Sequence, residues 1–300
     1  MSIYCSKGKQ FFIIFTLLLI FFLFIGCDDK KNEILYPTSD NANTVILLDR
    51  YEQKLFSFDT KTNKVIEKTN IENNFIYEFP TSSNYYTSGN SDHNDFNIFK
   101  IDNNNVKIIK KMDKNIGIFP LAIADDSMFF IMENYANEGK EGRTIALFDD
   151  NGELIQEFPE TFGLINGGVV IRDILYYSSY NEKDDVYDIY SLNYQVDDKP
   201  SLIKKNVKSG ELFSYHNELI YSDDDNIYIK EEKYVKGVQN YIEGNLLIRY
   251  IIDEKSDLNI EIININDDST ICSGKNVLDY KIQAEKITLY CLDGVKEIKR

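Results

Sequence analysis

Apolar positions along the chain fall into two regimes. Phe11 to Ile25 form a continuous uncharged run, apolar but for Thr16, whereas from about residue 44 onward apolar and polar residues alternate in short segments. Period-two alternation of this kind predicts half-buried β-strands. Most segments belong to a recurring pair: a strand ends in Asp or Asn, a polar turn follows, and a second strand runs back. The clearest pairs are Lys54–Asp59 with Lys64–Lys68, Phe96–Asp102 with Val106–Lys111, and Thr144–Asp149 with Leu154–Phe158. Asp188–Asn193 with Ser201–Lys205 and Asn226–Lys230 with Tyr234–Lys236 follow, then Leu258–Asn266 with Thr270–Cys272 and Lys286–Asp293 with Val295–Lys299. Asp150-Asn151-Gly152 and Asp293-Gly294 offer the positive φ that a right-twisted hairpin needs, and Asn63 and Asn103 to Asn105 tolerate it.

The first strands of these pairs end 27 to 47 residues apart. Two further strand-like pieces lie between pairs, for example Phe119–Ala124 then Met128–Glu133, Gly167–Arg172 then Ile174–Ser178, and Glu211–Tyr215 then Glu218–Ser222. Four strands per unit of about forty residues is the pattern of a β-propeller blade. No window after residue 27 sustains a helical period. The fold expected for residues 44–300 is therefore all-β, a propeller of about seven four-stranded blades, with six or eight as alternatives. The first and last units are short of strands, which predicts that the chain ends cooperate to close the ring and leave no open edge.

The continuous run has a different meaning. As a helix its fifteen residues would span roughly 22 Å, against about 30 Å of bilayer hydrocarbon. Lys7 and Lys9 precede it, and Gly26-Cys27 and then Asp28-Asp29-Lys30-Lys31 follow it. Basic start, short apolar core, small residue and cysteine resemble a bacterial lipoprotein signal, although Phe24 stands where such signals usually carry Leu. That resemblance implies cleavage after Gly26, acylation of Cys27 with palmitate-class chains, and a location on the extracytoplasmic face of the cell membrane. An uncleaved anchor and an ordinary secretory signal are the alternatives. The domain plan is then a signal peptide at 1–26, a polar tether at 27–43 and the propeller at 44–300. Leu55-Phe-Ser-Phe-Asp59, Ile189-Tyr-Ser-Leu-Asn193 and Thr144-Ile-Ala-Leu-Phe-Asp149 resemble the strand ends of bacterial envelope propellers, such as TolB-like proteins and propeller lipoproteins. The resemblance carries over no functional residue.

Charge narrows the partners. The chain has 49 acidic and 33 basic residues, a net charge of −16, and loss of residues 1–26 removes two lysines and no acid. Such a surface is repelled by phosphate backbones, so nucleic acid is not an expected partner. Beyond Cys27 the tail holds Cys272 and Cys291, which are either a disulfide suited to an exported protein or two buried thiols.

Candidate chemistry is sparse. His93 and His216 both fall in polar turns, and two isolated histidines do not make a metal centre. Asp223-Asp224-Asp225-Asn226 is densely acidic but lacks the alternating spacing of a calcium loop. Tryptophan is absent, which excludes motifs built on it. The chain has no nucleophile elbow, zinc-protease motif or phosphate-binding glycine loop. Gly163-Leu-Ile-Asn-Gly167-Gly168 lacks the helix that would aim amides at a phosphate. No catalytic residue, metal ligand or cofactor is expected. The expectation is a lipid-anchored, non-catalytic propeller binding an envelope protein or peptide. A module for a sugar, metal or cell-wall fragment is the alternative, and a hydrolase or lyase with unrecognised carboxylates is the third reading.

Overall fold

The computed structural model describes the chain from Asn43 to Arg300 apart from short connections at 50–53, 69–73, 81–83, 91–94, 103–104, 126, 137–141, 159–163, 197–198, 224–225, 230–231, 237–238 and 253–257. Gly26, Cys27, the tether up to residue 42, His93 and Gly163 lie outside the described residues, as do Asp224 and Asp225.

The described residues form 26 strands and no helix, gathered in seven antiparallel sheets. The first sheet is β1 (Thr44–Asp49), β2 (Lys54–Asp59) and β3 (Lys64–Lys68). The second runs β4 (Asn74–Glu78), β5 (Tyr85–Asn90), β6 (Asn97–Asp102) and β7 (Asn105–Lys111). The third is β8 (Ile116–Ala124), β9 (Ser127–Asn134), β10 (Gly142–Asp149) and β11 (Leu154–Phe158). The fourth is β12 (Leu164–Ile171), β13 (Ile174–Asn181), β14 (Val186–Leu192) and β15 (Ser201–Val207). The fifth is β16 (Leu212–Tyr215), β17 (Glu218–Asp223), β18 (Asn226–Ile229) and β19 (Glu232–Lys236). The sixth is β20 (Gln239–Glu243), β21 (Leu246–Ile252), β22 (Leu258–Asn264) and β23 (Ser269–Gly274), and the seventh is β24 (Val277–Ile282), β25 (Lys286–Cys291) and β26 (Gly294–Lys299).

Every strand pairs with its neighbours in sequence, so each sheet is a local meander. First strands of successive sheets touch from β4 to β8, β12, β16 and β20, β1 touches β24, and the remaining neighbours are joined by β2 with β4 and β22 with β24. That succession closes a ring with the first strands at its centre, the arrangement of a β-propeller. The fourth strands form the rim. Leu154 and Ile155 on β11 and Leu202 and Ile203 on β15 are exposed there. The core lies between sheets: one cluster joins the third and fourth sheets through Phe129, Phe158, Leu175 and Tyr177, all under 2 % exposed.

Seven sheets answer to the seven predicted strand pairs. Asn63 at φ 55°, Gly152 at 79° and Gly294 at 141° take the positive values expected of them, whereas Asn105 opens β7 and Asn103 and Asn104 lie outside the described residues. The two end sheets, each short of a strand, meet at the closure. The first and last sheets have three strands each, and among the described residues neither takes a strand from the other chain end. They meet instead through side chains: Leu47, Phe56 and Phe58 pack with Tyr290, with Val45, Val65, Leu278 and Val295 around them. Asp279 bridges the seam, its Oδ2 accepting from the Leu48 amide at 3.3 Å and its Oδ1 from its neighbour Tyr280 at 2.8 Å. A carboxylate can cap edge amides that a missing ladder partner would have taken.

The glycine cluster also has its explanation. The β12–β13 register skips between Ile165 and Gly168, a bulge opposite Ser178. Buried Ser178 accepts from the Gly167 amide at 3.1 Å and donates to the Gly210 carbonyl at 2.6 Å. A Cβ on Gly167 would lie 2.7 Å from that same carbonyl oxygen. Glycine here lets the fourth and fifth sheets approach; it does not bind phosphate.

Candidate functional site at the mouth of the ring

Two tight turns stand side by side where the fifth and sixth sheets meet the centre. His216 and Asn217, at φ 49° and 59°, join β16 to β17, with Tyr215 opposite Glu218. Two consecutive left-handed residues make a type I′ turn, which suits the strand twist and which Asn readily adopts. Gly244-Asn245 joins β20 to β21, and Gly244 alone is left-handed at 62°, the pattern of a type II′ turn. The turns are tied together: Tyr215 donates its hydroxyl to Asn266 Oδ1 at 2.5 Å, and the Asn245 carbonyl accepts from the Ile265 amide at 2.9 Å.

Between them lies a cavity of about 420 Å³. Leu212, Phe213 and Ile242, all buried, form its floor with Pro80. Ser214, His216, Asn217, Glu243, Gly244 and Asn245 form its sides and rim. Pro80 follows β4 of the second sheet, which stands across the ring from the fifth and sixth. The cavity therefore occupies the mouth of the central channel, on the face where first strands turn into second strands. Arg300 reaches this rim and donates from Nη2 to Asn245 Oδ1 at 2.9 Å. The Asn245 side chain is further engaged through Nδ2 with Asn264 at 3.4 Å.

An apolar floor under a ring of hydroxyl, amide, imidazole and carboxylate groups suits recognition of a ligand with an apolar body and a polar end. Among the described residues no three His, Cys, Asp or Glu side chains are placed to hold a metal ion.

The other sites named from sequence are scattered. His216 is the one that the structure brings into the cavity, its exposed ring 4.2 Å from that of Tyr215. Cys272 on β23 and Cys291 on β25 are both free thiols, in one apolar cluster joining the sixth and seventh sheets. Burial pushes the Cys272 thiol up to about 11 and raises that of Cys291, so neither is an activated nucleophile. Two of the charged pairs are part-buried cross-strand ties: Arg249 with Glu261 at 2.6 Å and Arg143 with Glu133 at 2.5 Å. Tyr135 donates to the second oxygen of Glu133 at 2.7 Å, and burial and that bond raise its hydroxyl above the usual tyrosine range. Sequence reading missed Glu243, Ser214 and Pro80. Each looks like an ordinary strand or turn residue until the ring brings residues 80, 214 and 243 together.

No protein-family model matches the chain, and no curated protein matches its sequence. Solved structures align with it at TM-scores below 0.5. The computationally designed Ika8 protein aligns at TM-score 0.48 and 10% identity, over 87% of this chain and 95% of its own. A chain of the nidogen/laminin complex aligns at 0.48 and 13%, over 77% and 92%, and AztD from Citrobacter koseri at 0.44 and 9%, over 82% and 88%. At these scores the likeness carries nothing about function.

Proposed function

We propose that this chain is a membrane-tethered β-propeller of the cell envelope that binds a protein or peptide, without catalysis, at the mouth of its central channel. The cavity over β16 and β20 carries this reading: an apolar floor open on one face of a rigid ring, rimmed by polar turns, with no Lys or Arg among its described lining residues. Turns held on a rigid scaffold are where binding residues concentrate. The tether reading rests on the sequence of residues 7–31, with Cys27 as the acylated residue and Gly26 as the residue before cleavage. Two or three acyl chains give stable anchoring where one does not. A small-ligand module seated over the same channel is the second reading, favoured by the modest volume of the cavity.

Two measurements test the proposal. Intact mass of membrane-extracted protein should show a chain beginning at Cys27 with a diacyl or triacyl adduct that Cys27→Ala abolishes. A chain retaining Met1, or one beginning beyond Cys27, contradicts the anchor. Ser214→Arg, which projects into the cavity, should abolish capture of an envelope partner, whereas Ile155→Arg on the rim should not. Equal capture by both variants contradicts the site.

A further inference from the structure

We propose that the rim of the seventh, first and second sheets docks on an anionic phospholipid surface, so that the ring stands rim-on to the membrane. The proposal rests on the tethering proposed above and names the side of the ring that meets the bilayer. The whole-chain charge of −16 hides how charge is distributed around the ring. The last two strands of these three sheets and their turns, residues 54–68, 97–111 and 286–299, hold eleven basic and five acidic residues. The matching hairpins of the other four sheets, residues 142–158, 186–207, 226–236 and 258–274, hold seven basic and twelve acidic. The three basic hairpins belong to neighbouring sheets, because β24 touches β1 and β2 touches β4. With strands about 4.8 Å apart, rims on opposite sides of the ring lie more than about 28 Å from each other. That exceeds three Debye lengths of about 8 Å each, so the arc meets a surface with its own sign of charge.

Within the arc, Lys64, Lys107, Lys111 and Lys299 are exposed and, among the described residues, enter no ion pair. Two of its acids are occupied: Glu297 pairs with Lys286 at 2.6 Å, and Asp59 accepts from the Lys61 and Thr62 amides of its own turn. Lysine on an outer strand also keeps that edge from pairing with other chains. That purpose alone would put lysine on every outer strand. Yet β11 and β23 have neither Lys nor Arg, and β11 exposes Leu154 and Ile155 without one. Lipid is the anion that fits, because Ile66 on β3 and Ile108 on β7 stand among these lysines, 56 % and 37 % exposed. Basic and apolar side chains together suit the boundary between headgroups and acyl chains, whereas a nucleic acid backbone offers nothing to an isoleucine. The tether enters the ring at β1, in the middle sheet of the arc, and residues 27–43 extend to at most about 60 Å, so it permits rim-on and face-on poses alike. Charge selects the rim, each lysine near an anionic surface being worth about fivefold in binding. The channel mouth then opens sideways, clear of the bilayer.

The test uses the full chain reconstituted into vesicles of phosphatidylcholine, alone or with one-third phosphatidylglycerol. A fluorescent amino acid stands at Ile66 on the arc or at Ile203 on the fourth sheet. Brominated lipid should quench the probe at Ile66 in anionic vesicles and not in neutral ones, and leave the probe at Ile203 bright in both. High salt should abolish the quenching. Lys64→Gln, Lys107→Gln, Lys111→Gln and Lys299→Gln combined, checked to melt as wild type does, should abolish it too, since about fivefold per lysine compounds over four. Quenching that persists in this variant, equal quenching in neutral vesicles, quenching at Ile203, or none at Ile66 overturns the proposal. A short DNA duplex that binds the arc where anionic vesicles do not would assign it to nucleic acid and overturns it as well. Flotation with neutral vesicles reads the anchor separately. A chain that floats there but shows no quenching at Ile66 in anionic vesicles sinks the rim alone, and one that floats only with anionic vesicles sinks the anchor and keeps the rim.

Discussion

Removing the Asp279 side chain should loosen the ring at its one seam. Asp279 is 5 % exposed on β24 and holds two backbone amides, that of Leu48 on β1 at 3.3 Å and that of Tyr280 at 2.8 Å. In Asp279→Ala both amides lose this acceptor inside a site that excludes water. Each unsatisfied buried donor costs about 1–3 kcal/mol, so the loss is about 2–6 kcal/mol, with 3 as a working value. For a ring of this size each kcal/mol lowers Tm by about 2–4 °C, which gives a drop of about 6–12 °C. Asp279→Asn keeps one acceptor oxygen and should lose about half as much. Urea and thermal unfolding by circular dichroism read these values, with the exposed carboxylate variant Asp150→Ala as control. An Asp279→Ala loss no larger than that of the control would refute the reasoning, because the seam would then rest on the Leu47, Phe56, Phe58 and Tyr290 cluster alone.

Three further outcomes follow from local geometry. Gly167→Ala should destabilise by about 1–3 kcal/mol through its clash with the Gly210 carbonyl, whereas Gly244→Ala, with open space around it, should cost only the roughly 1 kcal/mol of its left-handed backbone; denaturant midpoints distinguish them. Asp59, Asp149 and Asp267 are held below their ordinary 3.8, the first two chiefly by backbone amides and the third by the Ser269 hydroxyl and amide. Their contribution is complete above about pH 4 and is lost as pH falls through the lowered folded-state values, so Tm should decline there, and a triple Asn variant should flatten that limb. Cys272 and Cys291 should resist iodoacetamide at pH 8 in the folded protein and react once it unfolds; mass spectrometry showing a chain two daltons light and inert in denaturant would instead reveal a disulfide.

The repeat was legible because it is local. A strand such as Thr144–Asp149 states its face by alternation and its end by Asp, and its return through Gly152 follows from turn chemistry. Boundaries fell within a few residues: β8 begins at Ile116 where alternation suggested Phe119, and β22 stops at Asn264 before the predicted Asn266. What escaped is lateral. Gly167 stood in a glycine cluster without an evident purpose because its reason, the Gly210 carbonyl, lies beside the next sheet. The closure by Asp279 was hidden because Leu48 is 231 residues away from it. The cavity was hidden for the same cause: Leu212 and Ile242 alternate like any core residue, and only the ring makes them a floor.

The most direct test places a photo-cross-linking amino acid at Asn217, on the mouth, and separately at Ile155, on the rim, in intact cells. The account predicts one discrete adduct from Asn217 that is absent from Ile155 and is lost when Ser214→Arg is combined with it. An adduct from Ile155 alone, or adducts indifferent to position, would contradict binding at the channel mouth.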